Sequence, residues 1–106
     1  MKIAVDAMGG DNAPQSVVEG VEKARDAFED MEFVLFGKID EVKPLVKDQT
    51  RISFEQADEV IVMNDEPVKA IRRKKQSSLV LAAKAVKEGR ADALFSCGNT
   101  GALLAA

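Results

Sequence analysis

The sequence contains no histidine and only one cysteine, Cys97. Without histidine, these 106 residues alone cannot form a Ser-His-Asp or Cys-His catalytic centre, or a histidine-ligated zinc site. A single cysteine excludes a disulfide within the chain and is natural in a reducing compartment.

The sequence also lacks long apolar runs and an excess of basic residues. No run approaches the ~20 apolar residues that a membrane-spanning helix requires. The first ten residues hold one lysine and an apolar stretch that ends at Asp6, which is not a signal-peptide pattern. A net charge of −3 is not typical of a general nucleic-acid binder. The composition, 46% hydrophobic and 31% charged, is that of a globular protein of one domain at most.

Short apolar segments alternate with segments of helical periodicity. The predicted strands are residues 3–5, 33–36, 51–54 and 93–95, whereas residues 60–63 are too few to distinguish strand from helix. Helical spacing is found in residues 17–28, 39–46 and 79–86, and Pro67 suits the start of a further helix. We expect Pro44 to disturb the second helix, and Gly20 indicates close packing of the first. The alternation predicts an α/β fold with a mainly parallel sheet.

Two glycine-containing loops directly follow predicted strands. Residues 6–14 read Asp-Ala-Met-Gly-Gly-Asp-Asn-Ala-Pro, and residues 96–101 read Ser-Cys-Gly-Asn-Thr-Gly. Ligands of parallel sheets bind beyond the carboxyl ends of the strands. We therefore expect both loops to open on the same edge of the sheet.

The second loop is followed by helix-forming residues, so its backbone N–H groups and the positive end of the helix dipole would face one point. Ser96, Asn99 and Thr100 add side-chain donors, and Gly98 and Gly101 allow a ligand to approach closely. The same residues also suit a turn that only caps a helix, and the lysine of a phosphate-binding loop is missing. An anion site and a structural turn both remain open.

A basic run, residues 72–75, leads into Ser77 and Ser78, either of which can cap the next helix. Cations such as Arg73 and Lys75 beside a helix start can hold a phosphate dianion. The alternative is a solvated basic face, because the end of a helix favours cations anyway.

The first loop places Asp6 and Asp11 on either side of Gly9 and Gly10. These carboxylates can bind a metal, orient a ligand, or cap and turn the chain. Two carboxylates without further ligands do not predict a metal site. Cys97 precedes a helix start, which would stabilise a thiolate, but without a histidine we expect a small packing residue.

Three blocks together resemble the N-terminal signatures of the bacterial phosphate acyltransferase family, the PlsX type. The blocks are residues 6–14, residues 70–78 and residues 96–103, with supporting similarity in residues 56–61 and 65–67. One departure is Cys97, where the family usually has alanine. The family's chains are much longer, and this sequence stops about one turn into an apolar helix pattern without a cap. We therefore expect the N-terminal piece of a longer protein.

The resemblance implies a three-layer α/β/α fold, related to phosphate acetyltransferases and to isocitrate and isopropylmalate dehydrogenases. Residues 1–106 would be the N-terminal part of one acyltransferase domain, without an internal boundary. It further implies transfer of a fatty acyl group from acyl carrier protein to inorganic phosphate, giving acyl phosphate for phospholipid synthesis. The enzyme would be a homodimer of the cytoplasm, in peripheral contact with the membrane, and would need neither cofactor nor metal.

Phosphate is already an anion near neutral pH, and a thiol leaves without a strong acid, so a site without histidine suits this reaction. The expected catalytic residues are Asp11, Lys75, Asn99 and Thr100. The expected phosphate- or substrate-binding residues are Gly9, Gly10, Arg73, Ser77, Ser78, Ser96, Gly98 and Gly101. A non-catalytic α/β module that binds a phosphorylated small molecule remains the alternative. A dinucleotide-dependent dehydrogenase is disfavoured, because no G-x-G-x-x-G follows the first strand.

Overall fold

The computed structural model describes residues 1–62, 65–98 and 101–102. The strands are β1 (Lys2–Asp6), β2 (Glu32–Gly37), β3 (Ile52–Gln56) and β4 (Ala93–Phe95). The helices are α1 (Gln15–Ala27), α2 (Ile39–Val42), α3 (Pro67–Arg73) and α4 (Ser78–Lys87), with a 3-10 turn, Lys43–Leu45, after α2. None of the described helices is long and apolar enough to cross a bilayer.

The four strands of the described chain form one parallel sheet in the order β3-β2-β1-β4. In the central strand, Ala4 lies opposite Val34 of β2 on one side and opposite Leu94 of β4 on the other. Nearly every residue of β1 and β2 is buried, which is typical of parallel strands covered on both faces. The predicted α/β fold with a parallel sheet is confirmed.

Helices cover the two faces of the sheet, because successive residues of a strand point to opposite sides. Ile3 and Val5 of β1 belong to the core cluster that includes Val17 and Val21 of α1. Ala4 belongs to a second cluster, with residues of α4. The result is a three-layer α/β/α arrangement, and Asp6 shares its side of β1 with Ala4.

Some details differ from the sequence-based expectations. Phe28 follows α1 as its capping residue and is 55% exposed, so it does not continue the apolar face. Gly20 has nothing within 4 Å of the position of an added Cβ, and it lines an open apolar groove of 410 Å³ between α1 and β4. Its predicted close packing is therefore wrong among the residues that the structure describes. Pro44 ends α2 early, as expected, because proline has no N–H to donate. Residues 60–62 form neither helix nor strand, and Met63 lies outside the described residues.

Candidate active site

The two glycine-containing loops lie side by side at the carboxyl end of the sheet, because β1 and β4 are neighbours and parallel. A Cβ added to Gly9 would lie only 2.9 Å from the backbone nitrogen of Gly98. A Cβ on Gly10, where φ is +100°, would lie 3.2 Å from the carbonyl oxygen of Cys97. The loops therefore touch through their backbones, which only glycine permits. The predicted common edge is confirmed.

Asp6, the last residue of β1, joins both loops to α4. Its Oδ1 accepts hydrogen bonds from the N–H of Met8 (3.1 Å) and the hydroxyl of Ser78 (2.5 Å). Its Oδ2 accepts a bond from the hydroxyl of Ser96 (2.9 Å), which in turn accepts one from the N–H of Gly98 (3.0 Å). Ser78 begins α4 and Ser96 follows β4, so one carboxylate positions three segments.

From the sequence, Asp6 could bind a metal, orient a ligand or turn the chain, but it is not among the expected catalytic or binding residues. Asp6 is 3% exposed, and its carboxylate accepts three charge-assisted hydrogen bonds, which stabilise the buried negative charge. The signal that could have found it is register: Asp6 ends a buried strand on the side that α4 covers, where an apolar residue is expected. A buried carboxylate at that place requires donors from neighbouring elements.

Two backbone N–H groups at the start of α4 already have hydrogen-bond partners within the protein. Ser77 caps the helix, because its Oγ accepts a hydrogen bond from the N–H of Val80 at 3.2 Å, and the predicted serine cap is confirmed. The N–H of Ser78 donates to the carbonyl of Glu59 at 3.1 Å. Both serine side chains are buried. Ser77 and Ser78 therefore position the helix start, and two of its N–H groups are already in use; a direct phosphate contact by these serines stays a prediction.

The basic run divides into one structural cation and three exposed ones. Lys74 Nζ donates to the carbonyl of Val60 (2.9 Å) and to Oδ2 of Asp65 (2.8 Å), which fixes the segment before α3 to the turn after it. Arg72, Arg73 and Lys75 are exposed and make no hydrogen bond or ion pair within the described part of the chain. Lys74 is therefore not free to contact a phosphate, whereas Arg73 and Lys75, the two cations expected at the site, remain exposed.

The Lys74–Asp65 pair predicts a pH-dependent contribution to stability. The hydrogen bond from Lys74 lowers the pKa of Asp65 from its usual 3.8. A carboxyl with a lowered folded-state pKa stabilises the fold above about pH 3.8, and this contribution disappears as the pH falls through the lowered value. We expect Lys74→Met to lower the urea midpoint at pH 7, and the difference from the wild type to shrink near pH 3. Lys84→Met is the matched control, because Lys84 is exposed and forms no ion pair among described residues. A midpoint difference that does not change with pH would contradict the assignment.

The other predicted site residues lie in the two glycine-containing loops. Asp11, in the first loop, is exposed, and Gly101, the last residue of the second loop, has helical backbone. Asn99 and Thr100 lie outside the described residues. Cys97 is exposed, so its prediction as a packing residue is wrong: it follows β4 rather than lying within it. No group of three or more acidic or cysteine side chains lies close enough to hold a metal ion in ranges 1–62, 65–98 and 101–102.

The sequence matches one known protein family over its whole length. A family model described as fatty acid synthesis protein matches residues 1–106. The phosphate acyltransferase of Limosilactobacillus fermentum is 68% identical over 106 residues, which are 100% of this chain and 31% of the relative. That of Ligilactobacillus salivarius is 70% identical over 105 residues, 99% of this chain and 32% of the relative. The chain thus spans about a third of the length of these relatives. It belongs to the fatty acid synthesis protein family, the family of the bacterial phosphate acyltransferases.

Proposed function

We propose that this chain is the N-terminal part of an acyltransferase domain that transfers a fatty acyl group from acyl carrier protein to inorganic phosphate. The product, acyl phosphate, would be used in phospholipid synthesis. One observation carries the proposal: Asp6 joins residues from all three sequence blocks that resemble the family. These blocks are separated by as many as 90 residues in the chain, yet they meet at one edge of the sheet.

The chemistry of the proposed site follows from its charges. Arg73 and Lys75, both exposed cations, would hold the phosphate. A phosphate oxygen attacks the thioester carbonyl carbon, the carbon–sulfur bond breaks, and the carrier thiol leaves as a thiolate that takes a proton. Asn99 and Thr100 would stabilise the oxyanion of the tetrahedral intermediate, while Asp11 would orient a substrate group. A thiol with an ordinary pKa near 8.5 leaves without a strong general acid.

The two loops approach each other closely at Gly9, Gly10 and Gly98. Gly9, Gly10, Gly98 and Gly101 would admit the phosphate or the thioester, and Ser96 would keep the second loop in place through Asp6. The whole enzyme would act in the cytoplasm as a homodimer, in peripheral contact with the membrane, with acylated carrier protein and phosphate as its substrates and no nucleic-acid partner.

The assay that tests the proposal is acyl phosphate formation by residues 1–106 and by the longest chain that the gene encodes. In the longer chain, Lys75→Glu and Asn99→Leu are each expected to lower kcat/KM for phosphate at least ~100-fold, as loss of a transition-state donor or cation does. The control is Lys47→Glu, a charge reversal at an exposed lysine away from the loops.

Unchanged phosphate dependence in both variants would refute their assigned roles. If the longest chain binds phosphate but forms no acyl phosphate, the non-catalytic binding module becomes the better account. Its shared motifs would then reflect the fold rather than the reaction.

A further inference from the structure

Helix α3 has one buried side and one basic side. Ala70 is buried and Ile71 packs against the same cluster, which holds the helix to the rest of the protein. Val68, Lys69 and Arg72 are exposed, and their spacing of three and four residues places them on one face. We call these three residues the α3 basic face.

The acidic residues next to this face, Glu66 and Asp65, already form hydrogen bonds with other groups. Glu66 caps α3, because its carboxylate accepts hydrogen bonds from the backbone N–H groups of Val68 (3.4 Å) and Lys69 (2.7 Å). Asp65 is bonded to Lys74. The side chains of Lys69 and Arg72 have no hydrogen bond or ion pair with any residue that the structure describes. Positive charge therefore remains concentrated here, in a chain whose net charge is −3.

We propose that the α3 basic face is the docking surface for an acidic protein. Resting on the proposed function, that protein is acyl carrier protein, the donor of the acyl group. The face and the site are close along the chain: α3 ends at Arg73, and Ser78, bonded to Asp6, is five residues further on. Five residues span at most ~17 Å, so a carrier docked on α3 can deliver its thioester to the loops on its flexible arm.

A protein fits this face better than a lipid bilayer does. Helices that lie in membranes bury a broad apolar face. In α3, which has seven residues, Ala70 and Ile71 point inward and the exposed apolar side chain is Val68, 48% exposed. Cations that surround a small apolar contact are complementary to an acidic protein surface.

Direct binding tests the proposal in the longest chain that the gene encodes. The double variant Lys69→Glu/Arg72→Glu is expected to raise the Kd for acyl carrier protein at least ~10-fold at low salt, and the wild-type Kd should rise with ionic strength. Lys47→Glu/Lys84→Glu, at exposed lysines elsewhere, is expected to leave the Kd unchanged.

Kinetics separate docking from catalysis. The double variant should raise KM for the acylated carrier protein and leave kcat unchanged, and it should use acyl phosphopantetheine, a donor without the protein, as well as the wild type does. An equal loss with both donors, or an unchanged Kd for the carrier, would overturn the proposal. So would intact carrier binding together with lost binding to phosphatidylglycerol vesicles, which would assign the face to the membrane.

The proposed function and the docking surface can fail separately. A wild type that binds the carrier protein through this face, yet forms no acyl phosphate, would refute the reaction and keep the docking surface. Acyl phosphate formation by the wild type, together with an unchanged Kd of the double variant for the carrier protein, would support the reaction and refute the docking surface.

Discussion

Replacing Asp6 by alanine is expected to lower the free energy of unfolding by about 3–5 kcal/mol and to abolish acyl phosphate formation in the longer chain. The substitution removes the acceptor of three hydrogen bonds, from Met8, Ser78 and Ser96. The Ser78 side chain is buried, so its hydroxyl would lose its partner where water cannot easily replace it. The start of α4 and both loops would then lose their common attachment point.

Urea unfolding followed by circular dichroism measures the effect on stability. Asp6→Asn keeps the shape and one carbonyl acceptor, so a smaller loss of about 1–3 kcal/mol is expected. Asp11→Ala, in the same loop but exposed, should change stability by no more than about 0.5 kcal/mol while it still reduces turnover. If Asp6→Ala unfolded at the same urea concentration as the wild type, the carboxylate would not hold the two loops and the start of α4 together.

The second large effect is expected for Gly9→Ala. The added Cβ would lie 2.6 Å from Oδ2 of Asp6 and 2.9 Å from the nitrogen of Gly98, distances that real Cβ atoms essentially never show. The conflict involves backbone and a buried carboxylate, neither of which can rotate away, so the two loops must separate. We expect a loss of about 1–3 kcal/mol in stability, as for other overpacked sites, and a fall in turnover of at least ~100-fold.

Gly20→Ala is the matched control for Gly9→Ala. No described atom lies within 4 Å of the position of the new Cβ, and Gly20 is inside α1, where alanine is the better helix former. We expect a gain in stability of up to ~1 kcal/mol and unchanged activity. The steric account of Gly9 would be wrong if Gly9→Ala were as stable and as active as Gly20→Ala.

Local patterns in the sequence were sufficient to predict the four strands and the edge of the sheet where the site lies. The apolar segments at residues 3–5 and 33–36 predicted buried strands, since a strand covered on both faces is apolar at successive positions. Parallel strands place their carboxyl ends on one edge, so glycine loops after β1 and β4 had to be neighbours. The cap at Ser77 was also predictable, because it bonds within its own helix.

The tertiary structure decided which side chains form hydrogen bonds and ion pairs with each other. Asp6 bonds Ser78 and Ser96, which are 72 and 90 residues away, and no local pattern can assign partners at such separations. The residues around the basic run likewise do not show that Lys74, rather than Arg73, is bonded to Asp65. The sequence by itself determined the α/β fold, the shared loop edge and the candidate cations, because these depend on periodicity and chain direction. Only the packing of distant segments decided that Asp6 joins the loops, and which cations remain exposed, because hydrogen bonds between side chains depend on three-dimensional proximity.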